Sequence, residues 1–476
     1  MKQSYFLTAL GLTSVLNAAA QVDRSVKPEP GPIPSLALPV IQRSLLDNGL
    51  HVMLVEHHEL PVVQMNMVIL SGSSLDLEEK AGLASLTASM MDEGTTGRDA
   101  LQIADDMDFL GATLSITSGV DATFATLRTL KEHLNSAMEI YADVLLRPAF
   151  PGKEWDRVKK THLDGLLQQR DQPATVAGKA FHRVTYGNAH PFGRPPDGSE
   201  ETVQSISVDD MMAFYKDHYV PGNAILIIVG DVTMTELTGL VAAHFGSWKS
   251  GFSSVPRFPS VPTIGATRLY LVDKPQAAQS EVRIGHVGVS RSNEDYFPIT
   301  VLNTILGGQF SSRVNLNLRE RKGYTYGARS GFSMWKQPGP FIASAAVKTA
   351  VTDSSVIEFM KELKRIRDED VTEKELKFAK NSLIRREPQN FETPQQIAGQ
   401  LASLVIYDLP DDYFKTYVQN FEKVTVADVR RVAQQYLKPS SMNIVIVGDV
   451  AAIRQGLENL GYGSLQLLEG DGRIPN

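Results

Sequence analysis

Apolar residues recur along this chain in two rhythms. Over 50–55 and 62–70 they crowd together and are rich in Val, Ile and Leu, which predicts strands, and 112–117, 123–129 and 224–229 read the same way. Elsewhere the spacing is helical. Leu83, Leu86, Met90 and Met91 mark a helix over 83–93 with Gly94 as its C-terminal cap, and helices are expected over 100–110, 131–145, 153–169 and 207–219. The turn Asp171-Gln172-Pro173 closes the fourth of these, and 186–193 reads as a loop by its glycine and proline content. Strand-like and helical segments in this alternation predict an α+β (α/β layered) architecture.

The pattern then repeats. Ser207-Val208-Asp209-Asp210, Pro221 and the apolar run ending Val229-Gly230-Asp231-Val232 match Thr425-Val426-Ala427-Asp428, Pro439 and Val447-Gly448-Asp449-Val450 at one constant offset. His51-Val52-Met53-Leu54-Val55 is echoed by Arg268-Leu269-Tyr270-Leu271-Val272 at nearly the same offset. The chain reads as a tandem duplication. One copy is expected over 44–249 and the other over 266–465, with a Ser-, Pro- and Gly-rich linker over 250–265 and a tail over 466–476. Two similar domains on one linker leave a cleft between them, a common place for a ligand.

Composition narrows the field. The length of 476 residues calls for more than one core, and a net charge of −7 leaves no basic footprint for nucleic acid. There is no cysteine, which removes disulfides, thiolate metal sites and cysteine nucleophiles together. Lys2, the apolar run 5–16 and Ala18-Ala19-Ala20 form the pattern of a cleavable secretory signal over 1–20, followed by a Pro-rich leader over 21–43. Cleavage after Ala20 and an exported protein, periplasmic or secreted with no membrane span, are expected.

Two segments carry a family resemblance. The frame Gly82-Leu83-Ala84-Ser85 through Ala88-Ser89 to Glu93-Gly94-Thr95 looks like the segment that carries His-x-x-Glu-His in insulinase (pitrilysin) zinc peptidases. In the second copy, Leu302-Asn303-Thr304-Ile305-Leu306-Gly307-Gly308-Gln309-Phe310 and Leu318-Arg319-Glu320-Arg321-Lys322-Gly323-Tyr324-Thr325-Tyr326 strongly resemble the C-terminal domain of that family, which includes bacterial two-subunit enzymes and the mitochondrial processing peptidase. The resemblance covers nearly all of 44–465. It implies two tandem homologous processing-peptidase-like domains, each a mixed, largely antiparallel sheet with helices packed on it, forming a clamshell. It also implies that Arg319 and Tyr326 hold the substrate backbone and stabilise the tetrahedral intermediate. Gly307 and Gly308 fall where the processing peptidase has a substrate-contacting glycine-rich loop.

In that motif, histidines at i and i+4 share a helix face and ligate zinc, while the glutamate between them activates the bound water. Here Ser85 and Ser89 stand for the histidines and Ala88 for the base. Hydroxyls are poor zinc ligands beside imidazole. The family's third ligand is expected within 161–167, where the nearest carboxylate is Asp164. No other motif supplies the chemistry: His57-His58-Glu59 is the one dense group among ten histidines, and neither a nucleophile elbow nor a phosphate loop occurs. The resemblance therefore implies a non-catalytic subunit of an exported heteromeric peptidase. It would hold no cofactor, with zinc in a catalytic partner subunit that cleaves an extended peptide or unfolded protein. A structural scaffold and a peptide-binding protein of the same fold remain the alternatives.

Overall fold

The computed structural model describes Gly31 and residues 39–253, 257–463 and 465–475. The expected signal over 1–20 and most of the leader lie outside the described residues. Among the described residues, twelve strands form two six-stranded sheets. The first has the order β1 (Gln42–Leu45), β2 (His51–Glu56), β6 (Ala224–Gly230), β3 (Val62–Ile69), β5 (Thr123–Leu130) and β4 (Thr113–Ser118). The second has the order β12 (Leu465–Leu468), β7 (Arg268–Asp273), β11 (Asn443–Gly448), β8 (Gln279–Val287), β10 (Pro340–Lys348) and β9 (Thr325–Phe332).

The duplication is visible in the pairing. β2 runs parallel to β6 and β7 parallel to β11, in matching registers, and the pairs from there to β4 and β9 are antiparallel. The repeated helix start also recurs atom for atom. Ser207 and Asp210 cap Val208–His218 reciprocally, as Thr425 and Asp428 cap Val426–Tyr436. The copies differ at one edge, where β1 pairs antiparallel to β2 but β12 pairs parallel to β7. Two expectations change accordingly. The tail from 466 contributes strand β12, and β1 begins inside the expected leader.

The central strands are apolar on both faces, for a specific reason. Val52, Leu54, Leu226 and Ile228 face the first half's own helices, while the alternating Met53, Val55, Ile227 and Val229 face helix Pro394–Ile406 from the second half. In return, Leu269, Leu271, Ile444 and Ile446 face the second half's helices, while Tyr270, Val272, Val445 and Val447 meet Val176, Ala177, Ala180 and Phe181 of helix Pro173–Tyr186. The two helices thus change places between sheets. Polar ties accompany the exchange: Tyr186 OH donates to the Pro338 carbonyl (3.0 Å), and Asn443 Nδ2 donates to Thr185 Oγ1 (3.1 Å). Phe192 meets Trp335 edge-on with ring centres 4.7 Å apart.

Phe181 is fully buried in this exchange. Phe181→Ala is expected to cost about 3–5 kcal/mol in urea unfolding. It should also let the two halves separate on gel filtration after proteolytic nicking of 250–265, where the nicked parent chain elutes as one particle. Co-elution of the nicked variant at unchanged stability would contradict the exchange as the main joint.

His286 on β8 gives a pH dependence. Its ring is buried against Phe341, Nδ1 donates to the Val287 carbonyl (2.7 Å) and Nε2 accepts from Lys438 N (3.4 Å), an arrangement for a neutral imidazole. Burial, assisted by the Lys438 charge, pushes its pKa down to about 4 against the pull of the Val287 carbonyl. Above the ordinary histidine value, folded and unfolded chains are both neutral there and no stability is lost. As pH falls from about 6.5 through 4, the unfolded chain takes the proton first, and up to about 3 kcal/mol is lost. Urea unfolding from pH 7 to 4.5 should show this slope in the parent, and it should be shallower by about one proton in His286→Gln.

Candidate functional site

The degenerate motif lies on helix Leu83–Met90, which ends before the expected 93 because the chain turns at Met91. Gly94 does not cap it. That residue instead forms a short bridge with Asp99. The helix start is fixed by a buried carboxylate, since Asp76 accepts from Gly82 N (2.8 Å) and Ala84 N (2.9 Å). Burial pushes the Asp76 carboxyl up to about 7, against those two N–H groups and the nearby Arg194 guanidinium. Gly82 has φ +96° and lies back to back with Asp197 and Gly198, a position closed to a side chain.

The residues on this helix do not fit a zinc ion. Ser89 Oγ donates to the Ser85 carbonyl (3.0 Å), so one hydroxyl is engaged by the helix backbone, and Ala88 is buried in the core. On helix Gly152–Gln169, Asp164 is exposed, and His162 Nε2 is engaged by the Asp197 carbonyl (2.7 Å). Among the described residues no three of His, Cys, Asp and Glu gather as metal ligands. His58 is bound to Asp231 (2.6 Å) and Glu56 (3.1 Å) in solvent, while His57 stands outside that contact.

The second-half residues do converge on one area. Helix Tyr296–Leu306 ends at Gly307, whose carbonyl accepts from Ser330 N of β9 (3.1 Å). A side chain at Gly307 would meet that same nitrogen at 2.3 Å, so the close approach requires glycine. Gly308 is exposed, and its N–H donates to the Asn303 carbonyl (2.7 Å). Phe310 comes next with its ring 64% exposed, and the Arg319 guanidinium stands over that ring at 4.6 Å. Arg319 also meets Glu320 (3.3 Å).

Tyr326 is 89% exposed. It stands at the start of β9, the outer strand of its sheet, where a register shift opposite Ala346 bulges the strand. Buried Asn315 joins the parts: its Nδ2 donates to the Phe310 carbonyl (2.6 Å), and its Oδ1 accepts from Ala328 N (3.0 Å). Sequence reasoning missed both Phe310 and Asn315. Phe310 carries a readable signal, an aromatic directly after a Gly-Gly-Gln turn. A cavity of about 290 Å³ lies beside this strand, lined by Gly327, Arg329, Glu281, Arg283 and Ala174. Arg283 there is paired to Glu281 (2.8 Å) and also donates to the Ala174 carbonyl (3.2 Å).

Both halves of the chain are similar to known proteins. The family model described as "Insulinase (Peptidase family M16)" matches residues 51–194, and the one described as "Peptidase M16 inactive domain" matches residues 205–383. The uncharacterized zinc protease YmxG of Bacillus subtilis is 26% identical over 348 residues, which is 72% of this chain and 83% of that one. The uncharacterized zinc protease ML0855 of Mycobacterium leprae is 28% identical over 346 residues, 72% of this chain and 77% of that one. Among solved structures, a peptidase M16 inactive domain from Pseudomonas fluorescens superposes with a TM-score of 0.80 at 26% identity, covering 86% of this chain and 98% of that one. A protease from Helicobacter pylori matches in fold, with a TM-score of 0.80 at 22% identity over 86% of this chain and 100% of that one. With both halves matched and both sheets built alike, the chain belongs to the insulinase (peptidase M16) family.

Proposed function

We propose that this chain is the non-catalytic subunit of an exported two-subunit zinc peptidase, working beside a partner that carries His-x-x-Glu-His and the metal. One observation carries the reading. The helix at the motif position holds two serines and an alanine, while in the other half Arg319 stands over the exposed Phe310 ring and Asn315 ties Phe310 to the strand that carries exposed Tyr326. An exposed tyrosine and a half-exposed arginine contribute little to folding, and their chemistry suits a peptide substrate. A guanidinium and a phenol both donate to an oxyanion and stabilise it as charge develops. The Ala328 and Ser330 N–H groups of outer strand β9 are already taken by Asn315 and Gly307, so the exposed Tyr326 side chain at the bulge, rather than an added strand, would meet an extended chain. The neighbouring cavity with Arg283 and Arg329 would receive a side chain of that substrate. Export rests on the signal pattern over 1–20.

Metal analysis of the purified chain is expected to find no stoichiometric zinc, and the chain alone should leave peptides uncut. Mixed with its partner it should support cleavage, and Arg319→Ala should then lower kcat about a hundredfold, the scale of one lost oxyanion donor. Full activity of a mixture containing the Arg319→Ala, Tyr326→Phe double variant would refute the shared site. Zinc-dependent cleavage by the chain alone would refute the subunit role.

A further inference from the structure

Arg319 does not sit on a regular α-helix. After the short turn Arg313–Asn315, residues Leu316–Arg321 open into a wider coil in which Lys322 N donates to the Asn317 carbonyl (3.0 Å), five residues back. Such a π-turn is rare, and here surrounding contacts reinforce it. Here the reinforcement is on the same residue. The Asn317 side chain is 3% exposed, and its Nδ2 donates to Glu358 Oε2 (2.9 Å) and Glu362 Oε1 (2.7 Å), both on helix Thr352–Asp368. Lys322 closes the loop with an ion pair to Glu358 (3.0 Å). Glu362 Oε2 is buried without a hydrogen bond, with Arg365 Nη1 3.7 Å away.

Two carboxylates on one amide are more than folding of this helix requires. Burying charged groups is unfavourable unless they are well bound, and a hydrophobic contact of the same volume packs a helix as well. What the pair supplies is direction. Charge-assisted hydrogen bonds fix Asn317, and the π-turn that starts there sets where residue 319 points. Inserting one residue into a helical turn rotates every residue downstream by about a quarter of a turn. Without the wide turn, Arg319 would leave the Phe310 ring and Tyr326 would enter β9 at another angle.

We propose that Asn317, clamped by Glu358 and Glu362, is a positioning residue that holds the wide turn and so aims Arg319 and Tyr326 at the substrate. This rests on the reading of Arg319 and Tyr326 as substrate contacts. The test uses the full chain and fluorescein-labelled β-casein, an unfolded protein, with hydrogen exchange measured alongside. Asn317→Ala should weaken casein binding about as much as Arg319→Ala, roughly tenfold, one contact's worth. The double variant should bind no more weakly than Arg319→Ala alone, because the asparagine acts through the arginine. Glu362→Gln keeps an oxygen for Asn317 but removes the charge from that hydrogen bond, so its affinity should fall between those of the parent and Asn317→Ala. Exchange should rise across 316–327 in Asn317→Ala while helix Thr352–Asp368 keeps its protection.

A merely structural asparagine would lower stability without this non-additivity. If Arg319→Ala weakens binding and Asn317→Ala does not, or if their effects add, the positioning role is overturned and the reading of the site stands. If Arg319→Ala leaves binding unchanged, or the parent chain binds no casein, exchange decides for the clamp alone. Unchanged exchange across 316–327 overturns it, and a rise confined to that segment supports it.

Discussion

The whole chain depends on an exchange of helices. Each sheet has two apolar faces, and only one is covered by the helices of its own half. Helix Pro394–Ile406 covers the second face of the first sheet, and helix Pro173–Tyr186 does the same for the second sheet. Neither half can bury its central strands alone. Removing one foreign helix would expose a row such as Met53, Val55, Ile227 and Val229, each worth about 1.5–3 kcal/mol when fully buried. That exceeds what linker 250–265 supplies by tethering. The two halves therefore fold as one unit, and the relative placement of their surfaces is set by core packing.

The same constraint explains where function can be placed. Faces of both sheets are taken up by packing, so open backbone remains only at the outer strands and in the turns between elements. Tyr326 lies on such a strand, and Phe310 and Arg319 lie on the turns feeding it. Exposed groups on turns have little packing to orient them. Here buried amides take that part. Asn315 ties the glycine turn to β9, Ser330 ties β9 to Gly307 and Asn303, and Asn317 ties the wide turn to the neighbouring helix.

Much of this was legible in the sequence, and the remainder was hidden for a physical cause. The repeat, the strand runs and the 82–95 frame are local patterns, and strand positions come from them, whereas the expected cap at Gly94 did not form. The Val-, Ile- and Leu-rich runs correctly announced strands. They did not announce what covers them, because a strand buried on both faces looks the same whoever supplies the second layer. Helix Pro173–Tyr186 carries Val176, Ala177, Ala180 and Phe181 at helical spacing, after Pro173 and before Gly187. Those are start and stop signals that fix a helix and say nothing of its destination. Arg319 and Tyr326 were singled out by spacing within a resemblance. Asn315 and Asn317 were not, since an asparagine inside a charged helical run reads as surface until burial shows otherwise.

The helix at 83–90 is held by the same packing. Its ligand positions changed to Ser85, Ala88 and Ser89, yet its frame persisted, and burial gives the reason. Leu83, Leu86 and Met90 belong to the first core, Gly82 has no room for a side chain, and the Asp76 carboxylate is buried where it caps the helix. Altering any of these would destabilise the core, while the outward positions 85 and 89 touch little. Substitution is freer where the side chain faces outward and constrained where it faces the core. The Arg319 turn is the opposite case: its outward side chains are free to change for folding's sake, but the wide turn beneath them is kept in place by buried Asn317 and its two carboxylate partners.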